Sequence, residues 1–305
     1  MSLAGCAGFG PAHFRTFRID ASAQQDAQTW QINYHGLSLH SGQIVIGDAG
    51  EPDTLLMSML AERFSPFVHA GVVVIEKNRP YVYDAYVTQN VFMHASHGKT
   101  VDGGIRRATL EEYIRSQRIV AIYEPPSTVD AERVARFAQD RHRDGTPFDT
   151  HFDWDDHDSL YCTEFVAMAL QYGGGSPPSL VAIRNNPSLH VALDWLGVRA
   201  QKIVTAESLI DSARRVALLS RNDSAAQIDA YFAAKRELHR RFTDDQRLGN
   251  IWRWTWHGLA LRPNIEAFLQ AARDRPDIPV AQLTVEYFSA RVTDGTLPVG
   301  DRPAH

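Results

Sequence analysis

Strand-like runs gathered before residue 124, and helical periodicities that dominate after residue 130, predict an α+β fold: an antiparallel sheet packed on helices, with a helical C-terminal extension. Three segments carry that expectation. They are the short apolar run Gln43-Ile44-Val45-Ile46, the valine-rich stretch Phe67 to Ile75 with its return Tyr81 to Ala85, and the apolar helix signal that opens near Cys162.

Taken in order, residues 12 to 40 are mixed and polar, an irregular lead-in or edge segment. Ser41-Gly42 is a turn signal, and the run 43–46, closed by Gly47-Asp48, reads as a buried strand. Behind Glu51-Pro52-Asp53, the spacing of Leu55, Leu56, Met59 and Leu60 predicts a short helix ending by Phe64. The stretch from Phe67 to Ile75 breaks at Glu76-Lys77-Asn78-Arg79-Pro80 and resumes at Tyr81, which predicts a hairpin with a medium loop. A connection containing Gly98, Gly103 and Gly104 leads to a helical turn or two at Thr109 to Ile114, then to a strand from Ile119 to Tyr123 ended by Pro125-Pro126. Val134, Phe137 and Ala138 share one side of an amphipathic helix from Asp130 to Arg143. After an acidic loop from Phe148 to Asp158, the positions of Phe165, Val166, Ala169 and Leu170 predict a buried helix starting near Cys162 and stopped by Gly173-Gly174-Gly175. Further helices are expected at Leu189 to Leu196, Ala206 to Leu219, Ser224 to Phe242 and Asn264 to Arg273, with a short segment around Val285 to Ala290. The expected organisation is a lead-in over 1–39, a central domain over 40–179 and a helical extension over 180–305 packed on the core.

The bulk composition narrows the function classes. The 31 basic and 36 acidic residues are spread along the chain and give a formal net charge of −5, so no strongly cationic face is expected and nucleic acid is excluded as a partner. No stretch approaches the roughly 18 to 20 apolar residues needed to span a bilayer. With Cys6 and Cys162 the only cysteines, disulfide scaffolding is not the design. Leu3-Ala4-Gly5-Cys6 resembles the lipobox at which bacterial lipoproteins are cleaved and lipidated, although only Met1 to Gly5 precede the cysteine. The localisation expected is the bacterial cell envelope, as a lipoprotein, if the true start lies upstream of Met1, and the cytoplasm otherwise.

Three residues combine into a chemical site. A thiolate at a helix N-terminus is favoured by the free N–H groups and the dipole there, which makes a cysteine such as Cys162 reactive near neutral pH. His69 opens the valine-rich strand, where alternation puts it on one face with Gly71 and Val73, and the small Gly71 leaves room beside the ring. A hairpin pairing Val74 near Tyr81 brings Asp84 opposite or diagonal to His69, the geometry by which a carboxylate fixes an imidazole's tautomer. Taken singly, each has a structural reading: a buried cysteine, a solvated histidine, a strand-end carboxylate.

Order and context then become recognisable. The series Ser41-Gly42-Gln43-Ile44-Val45, Phe67 to Val74, Tyr83-Asp84-Ala85, Thr146-Pro147-Phe148-Asp149 and Leu160 to Val166 resembles the YiiX-like permuted papain-fold amidases, circularly permuted relatives of the NlpC-type cysteine hydrolases, over about residues 40 to 175. The resemblance implies a circularly permuted papain-like fold, an antiparallel sheet or small barrel, in which the histidine strand and its acidic neighbour precede the cysteine helix. It further implies Cys162 as nucleophile, His69 as base, Asp84 as the third member and Tyr161 as a residue that helps shape the oxyanion site. Asp84 stands where many relatives have glutamate, and Gln43 where an aspartate is common. Glu164, about 200 degrees around the helix from Cys162, reads as structural.

The expectation is amide hydrolysis through an acyl-enzyme, on small substrates of peptide or peptidoglycan-fragment type. The alternative is an acyltransferase or a lipid or ester hydrolase using the same thiol, which an apolar groove lined by Trp252, Trp254 and Trp256 would favour. The expected partners are a small peptide-like or acyl substrate and, through a lipidated Cys6 or the C-terminal extension, a membrane. The cluster Lys235, Arg236, Arg240 and Arg241 is a candidate for the latter contact. No cofactor and no metal are called for: the alternating His151-Phe152-Asp153-Trp154-Asp155-Asp156-His157-Asp158 reads better as a solvated acidic loop before a helix than as a metal site. His94 and His97 default to the surface.

Overall fold

A computed structural model describes residues 15–18, 31–34, 36–87 and 103–288, apart from 188, 191–192, 194–197, 221, 246, 248–249 and 256–257. In chain order the elements begin with β1 (Arg15–Arg18), β2 (Gln31–Tyr34), β3 (Leu37–His40), β4 (Ile44–Asp48), α1 (Pro52–Leu60), β5 (His69–Glu76) and β6 (Arg79–Val87). There follow β7 (Gly103–Thr109), α2 (Leu110–Ser116), β8 (Ile119–Glu124), α3 (Ala131–Arg143), α4 (Cys162–Tyr172), β9 (Leu180–Ala182) and β10 (Lys202–Val204). The chain continues through α5 (Ala206–Ile210), β11 (Arg214–Ser220), α6 (Ala225–Asp245), β12 (Trp252–Thr255), β13 (Gly258–Leu261), α7 (Pro263–Asp274) and α8 (Val280–Phe288).

The fold is α+β, built around a seven-stranded sheet in the order β1-β11-β8-β4-β5-β6-β7, with every pairing antiparallel. Alternation sends Ile44, Ile46, Val72 and Val74 to the face covered by α1, α3, α4 and α6, and Val45, Val73, Val82 and Ile122 to a second core that includes Leu110 and Tyr113 of α2. The central strands are therefore apolar on both faces, and their sequence is a continuous apolar run rather than an alternating one.

The β5–β6 hairpin is tighter than the sequence suggested. Lys77 and Asn78, at φ 48° and 61°, make a two-residue turn, and Glu76 pairs with Arg79 as the last rung. Both central residues have positive φ, the turn geometry whose twist matches that of paired strands. The stretch read as a helical extension also holds the strand pairs β9–β10 and β12–β13, and two segments that join the large sheet differ from their expected form. The segment read as a glycine connection becomes β7 from Gly103, because the bare Gly104 backbone pairs with Pro147, where a Cβ would stand 2.6 Å from the Thr146 carbonyl oxygen. The helix expected over 206–219 stops at Ile210, and 214–220 enters the sheet as β11 between β1 and β8. Ala217 and Leu219 pack into one core and Leu218 into the other, so burial on both faces removes the period-two signature.

The C-terminal helices are tied to the sheet by a buried ion pair. Lys235 Nζ of α6 lies 2.8 Å from Asp48 Oδ1 at the end of β4 and donates to the Pro66 carbonyl, and neither charged side chain is exposed. No helix among the described residues is long and apolar enough to cross a membrane.

Candidate active site

Cys162 is the first residue of α4, entered from an extended Tyr161, so the sulfur sits where helical N–H groups lack intrahelical acceptors. Its side chain is buried, 8% exposed, with Sγ 3.6 Å from the carbonyl oxygen of Val68. That contact places the thiol at the start of β5, beside His69.

The imidazole is held from the other side. His69 Nε2 lies 2.7 Å from Asp84 Oδ2, which leaves Nδ1 as the nitrogen free to serve the thiol. Register explains the pairing: Val74 stands opposite Tyr81 and Gly71 opposite Asp84, so Asp84 is diagonal to His69 on the same face of the sheet. From the next strand, Arg106 grips the same carboxylate with two hydrogen bonds, Nε to Oδ1 at 3.0 Å and Nη2 to Oδ2 at 2.7 Å. Its guanidinium in turn rests 3.8 Å above the ring centre of Tyr86. Tyr113 of α2 stacks on the imidazole, with ring centres 5.8 Å apart.

Electrostatics follow from this enclosure. Burial opposes a charged His69, but the negative charge of a Cys162 thiolate and the hydrogen bond to Asp84 outweigh it and push the imidazole up to about 10. Burial likewise acts to raise Asp84, and the hydrogen bonds and charges of His69 and Arg106 overcome it and hold the carboxyl below its usual range. Both shifts favour an imidazolium paired with a carboxylate.

Two cavities meet at the sulfur. One, of about 240 Å³, is lined by Leu56, Met57, Leu60, Val87, Phe148 and Leu193 among other apolar groups, with Cys162, His69 and Gln117 in its wall. The other, of about 40 Å³, is lined by Cys162, Tyr161 and the residues Ser58, Ser65, Thr163 and Thr205. No tryptophan lines either among the described residues. The buried Tyr161 hydroxyl accepts the Val204 N–H at 3.1 Å, and its ring packs against Phe152. Thr163 donates to the Val204 carbonyl at 2.6 Å, so β10 is fastened to the start of α4 from both sides of one residue.

A family model described as permuted papain-like amidase enzyme, YaeF/YiiX, C92 family, matches residues 38–217, more than half of the chain. The chain belongs to this family. A crystal structure of the metalloprotein yiiX from Escherichia coli O157:H7 is similar at 17% identity and a TM-score of 0.45, covering 58% of this chain and 94% of that one. No curated protein matches the chain.

As a member of the YaeF/YiiX family the protein is a permuted papain-like amidase in class, and Cys162, His69 and Asp84 come together in one place. The acidic loop has a conformational use. The Asp149 carboxylate accepts the N–H groups of His151 and Asp153, Asp153 accepts that of Asp155, and Asp156 accepts that of Asp158. Among the described residues no three His, Cys, Asp or Glu side chains converge as a group able to hold a metal ion. Glu164 accepts the Tyr161 N–H and lies 2.8 Å from His157 Nδ1. Burial, with the charges of Asp149, Asp156 and Asp153 adding to it, pushes Glu164 up to about 9, which favours its neutral form. Trp252 is a core residue whose indole donates to the Pro52 carbonyl. The side chains of Trp254 and Trp256, and Cys6, His94 and His97, lie outside the described residues. Of the basic cluster on α6, Lys235 is spent on Asp48 and Arg240 and Arg241 pair with Glu237.

Sequence reasoning missed Arg106. The available signal was the run Ile105-Arg106-Arg107-Ala108 directly ahead of the helix cap at Thr109, which the glycines before it obscured.

Proposed function

We propose that the protein hydrolyses an amide bond through a Cys162 acyl-enzyme, with small peptide or peptidoglycan-fragment amides as the substrate class. The observation that carries this reading is the line Arg106–Asp84–His69 ending beside a thiol at a helix start, a chain of contacts that orients one imidazole toward one sulfur.

The thiolate attacks the substrate carbonyl carbon, forming a C–S bond while the carbonyl π electrons move to oxygen. The Cys162 N–H and its neighbours at the helix start are placed to donate to that oxyanion, and Tyr161 shapes the wall beside it. The C–N bond then breaks as His69 gives its proton to the leaving amine, leaving a thioester and a neutral imidazole. His69 next takes a proton from water as the oxygen attacks the thioester. Cleavage of the C–S bond releases the carboxylic acid and restores thiolate and imidazolium. Asp84 keeps the ring's tautomer fixed throughout and is itself kept anionic by Arg106.

Iodoacetamide labelling at pH 7 tests the pair. Cys162 is expected to react much faster than Cys6, and His69→Ala to slow only Cys162. Equal rates for both cysteines, unchanged by the substitution, would defeat the thiolate–imidazole reading. Turnover of a panel of peptide amides, abolished in Cys162→Ala, identifies the bond cleaved, and turnover confined to a parallel panel of lipid esters would replace the amide reading with the ester one.

A further inference from the structure

One aromatic ring stands between the two cavities that meet at the sulfur. Among the described residues, Met57, Val68, Phe152 and Cys162 belong to the wall of the 240 Å³ cavity and also to that of the 40 Å³ cavity. His69 belongs to the larger one alone, whereas Tyr161 and Thr163, which flank Cys162 in the chain, belong to the smaller.

Phe152 reaches that position through an uncommon backbone. Its φ is 56°, in the left-handed region that bulky side chains rarely adopt. The conformation is imposed by Asp149, which is buried and accepts the N–H of His151 at 2.7 Å through Oδ1 and that of Asp153 at 2.6 Å through Oδ2, bracketing Phe152 on both sides. His151 and Asp153 stay exposed, while the ring between them turns inward and packs against Tyr161 and Phe148, with ring centres 5.1 and 6.2 Å away. Backbone of this kind persists only where its surroundings over-determine it, and it gathers at active sites.

We propose that Phe152 is a specificity-determining residue whose ring separates an acyl-side pocket of acetyl size from a larger apolar pocket for the leaving amine. This deepens the amidase reading of Cys162 and rests on it. The polarity follows from the proton. His69 protonates the departing nitrogen, so that nitrogen and the group it carries lie along the wall that holds His69, in the larger cavity. The acyl group stays on the sulfur and extends to the other side of Phe152. A water molecule needs about 10 to 15 Å³, so the 40 Å³ pocket admits about three non-hydrogen atoms, the size of an acetyl group. An apolar cavity of about 150 Å³ is already enough for benzene, and the larger pocket exceeds it, so an aryl or branched alkyl amine fits among its aliphatic walls. Once that amine departs, the same space admits the hydrolytic water beside the imidazole. The substrate class is thus an amide of a short acid with an apolar amine.

The test measures kcat/KM for acetyl p-nitroanilide, hexanoyl p-nitroanilide and hexanamide in wild type, Phe152→Leu and Phe152→Gly, with Cys162 alkylation by iodoacetamide read in parallel. Glycine adopts positive φ freely, so Phe152→Gly removes the ring without adding strain. Wild type is expected to favour the acetyl over the hexanoyl anilide by roughly tenfold or more, the scale on which a closed pocket rejects extra methylenes. Phe152→Gly is expected to narrow that ratio by a similar factor, with Phe152→Leu between, while alkylation stays fast and His69-dependent. An unchanged ratio in both variants, or equal losses on both anilides, overturns the partition by Phe152. Wild-type preference for the hexanoyl anilide or for hexanamide, whose bulk lies on the acid, overturns the assignment of the two pockets, as does a rapidly alkylated enzyme that leaves the acetyl anilide intact. Slow, His69-independent alkylation in wild type would instead overturn the underlying thiol reading, so the two failures are distinguishable.

Discussion

Gly71 lies directly across from Asp84 in the β5–β6 ladder, and a Cβ added at 71 would stand 3.2 Å from Asp84 Cβ, 2.8 Å from the Tyr83 carbonyl oxygen and 2.7 Å from Val82 Cγ1. All three neighbours belong to β6, the strand that carries Asp84, so any accommodation shifts the carboxylate relative to His69. Gly71→Ala is expected to destabilise the protein by about 1 to 3 kcal/mol through overpacking and to lower kcat by more than the stability change explains. Denaturant unfolding and kinetics on the same preparation check this; an alanine variant with full activity would show that the spacing is slack.

Arg106 makes the Asp84 carboxylate a fixed anion in a place where burial works against charge. Arg106→Met leaves that carboxylate with His69 as its one cationic neighbour, and the expected cost is on the order of 3 kcal/mol. Arg106→Lys restores charge without the two-pronged grip, so it is expected to recover stability more than rate. Recovery of both to wild-type level would show that charge alone suffices.

Proton linkage predicts stability that declines with alkalinity. His69 holds a proton in the folded chain between its ordinary 6.5 and about 10, and Glu164 between 4.5 and about 9, where the unfolded chain has released both. The folded state binds more protons in those windows, so stability is complete below them and falls as pH rises through them. Asp84 acts with the opposite sign, contributing stability above its unfolded value of 3.8 that is lost as pH falls through its lowered folded value. Glu164→Gln, neutral at every pH, is expected to flatten the decline between 4.5 and about 9. Urea unfolding across that range measures it, and a profile identical to wild type would place the proton elsewhere.

Lys235 and Asp48 are each fully buried, and Asp48 Oδ2 has no hydrogen-bond partner among the described residues. Lys235→Met therefore strands a carboxylate in the core, with an expected loss of about 3 to 5 kcal/mol. Adding Asp48→Leu is expected to return much of it. A double variant no better than the single one would mean that the pair's worth lies in its hydrogen bond to the Pro66 carbonyl.

The strands β4 and β5, the hairpin register and the helix at Cys162 were legible in the sequence because each carries its own local pattern: a valine run, a Pro-flanked break, a glycine stop. Pairing Val74 with Tyr81 was enough to bring Asp84 near His69. Arg106, Phe152 and β11 were not legible, for related reasons. Arg106 acquires its meaning from a strand whose glycines serve a close approach to Thr146, and Phe152 from the two hydrogen bonds by which Asp149 brackets it. Strand β11 is buried on both faces, and its Val216-Ala217-Leu218-Leu219 satisfies a helical template equally well.

The bond between Lys235 and Asp48 spans 187 positions, and β1 is joined to the sheet only through β11, two hundred residues further on. A chain emerging from the ribosome exposes the valine-rich strands and the Cys162 helix long before the lysine that neutralises Asp48 has been synthesised. Contacts so distant in sequence make for slow closure and a long interval in which unpaired apolar strands are open to misassociation. In vivo yield is thus expected to depend on chaperone supply, and truncation after α4 to give insoluble protein even though Cys162, His69 and Asp84 are all present.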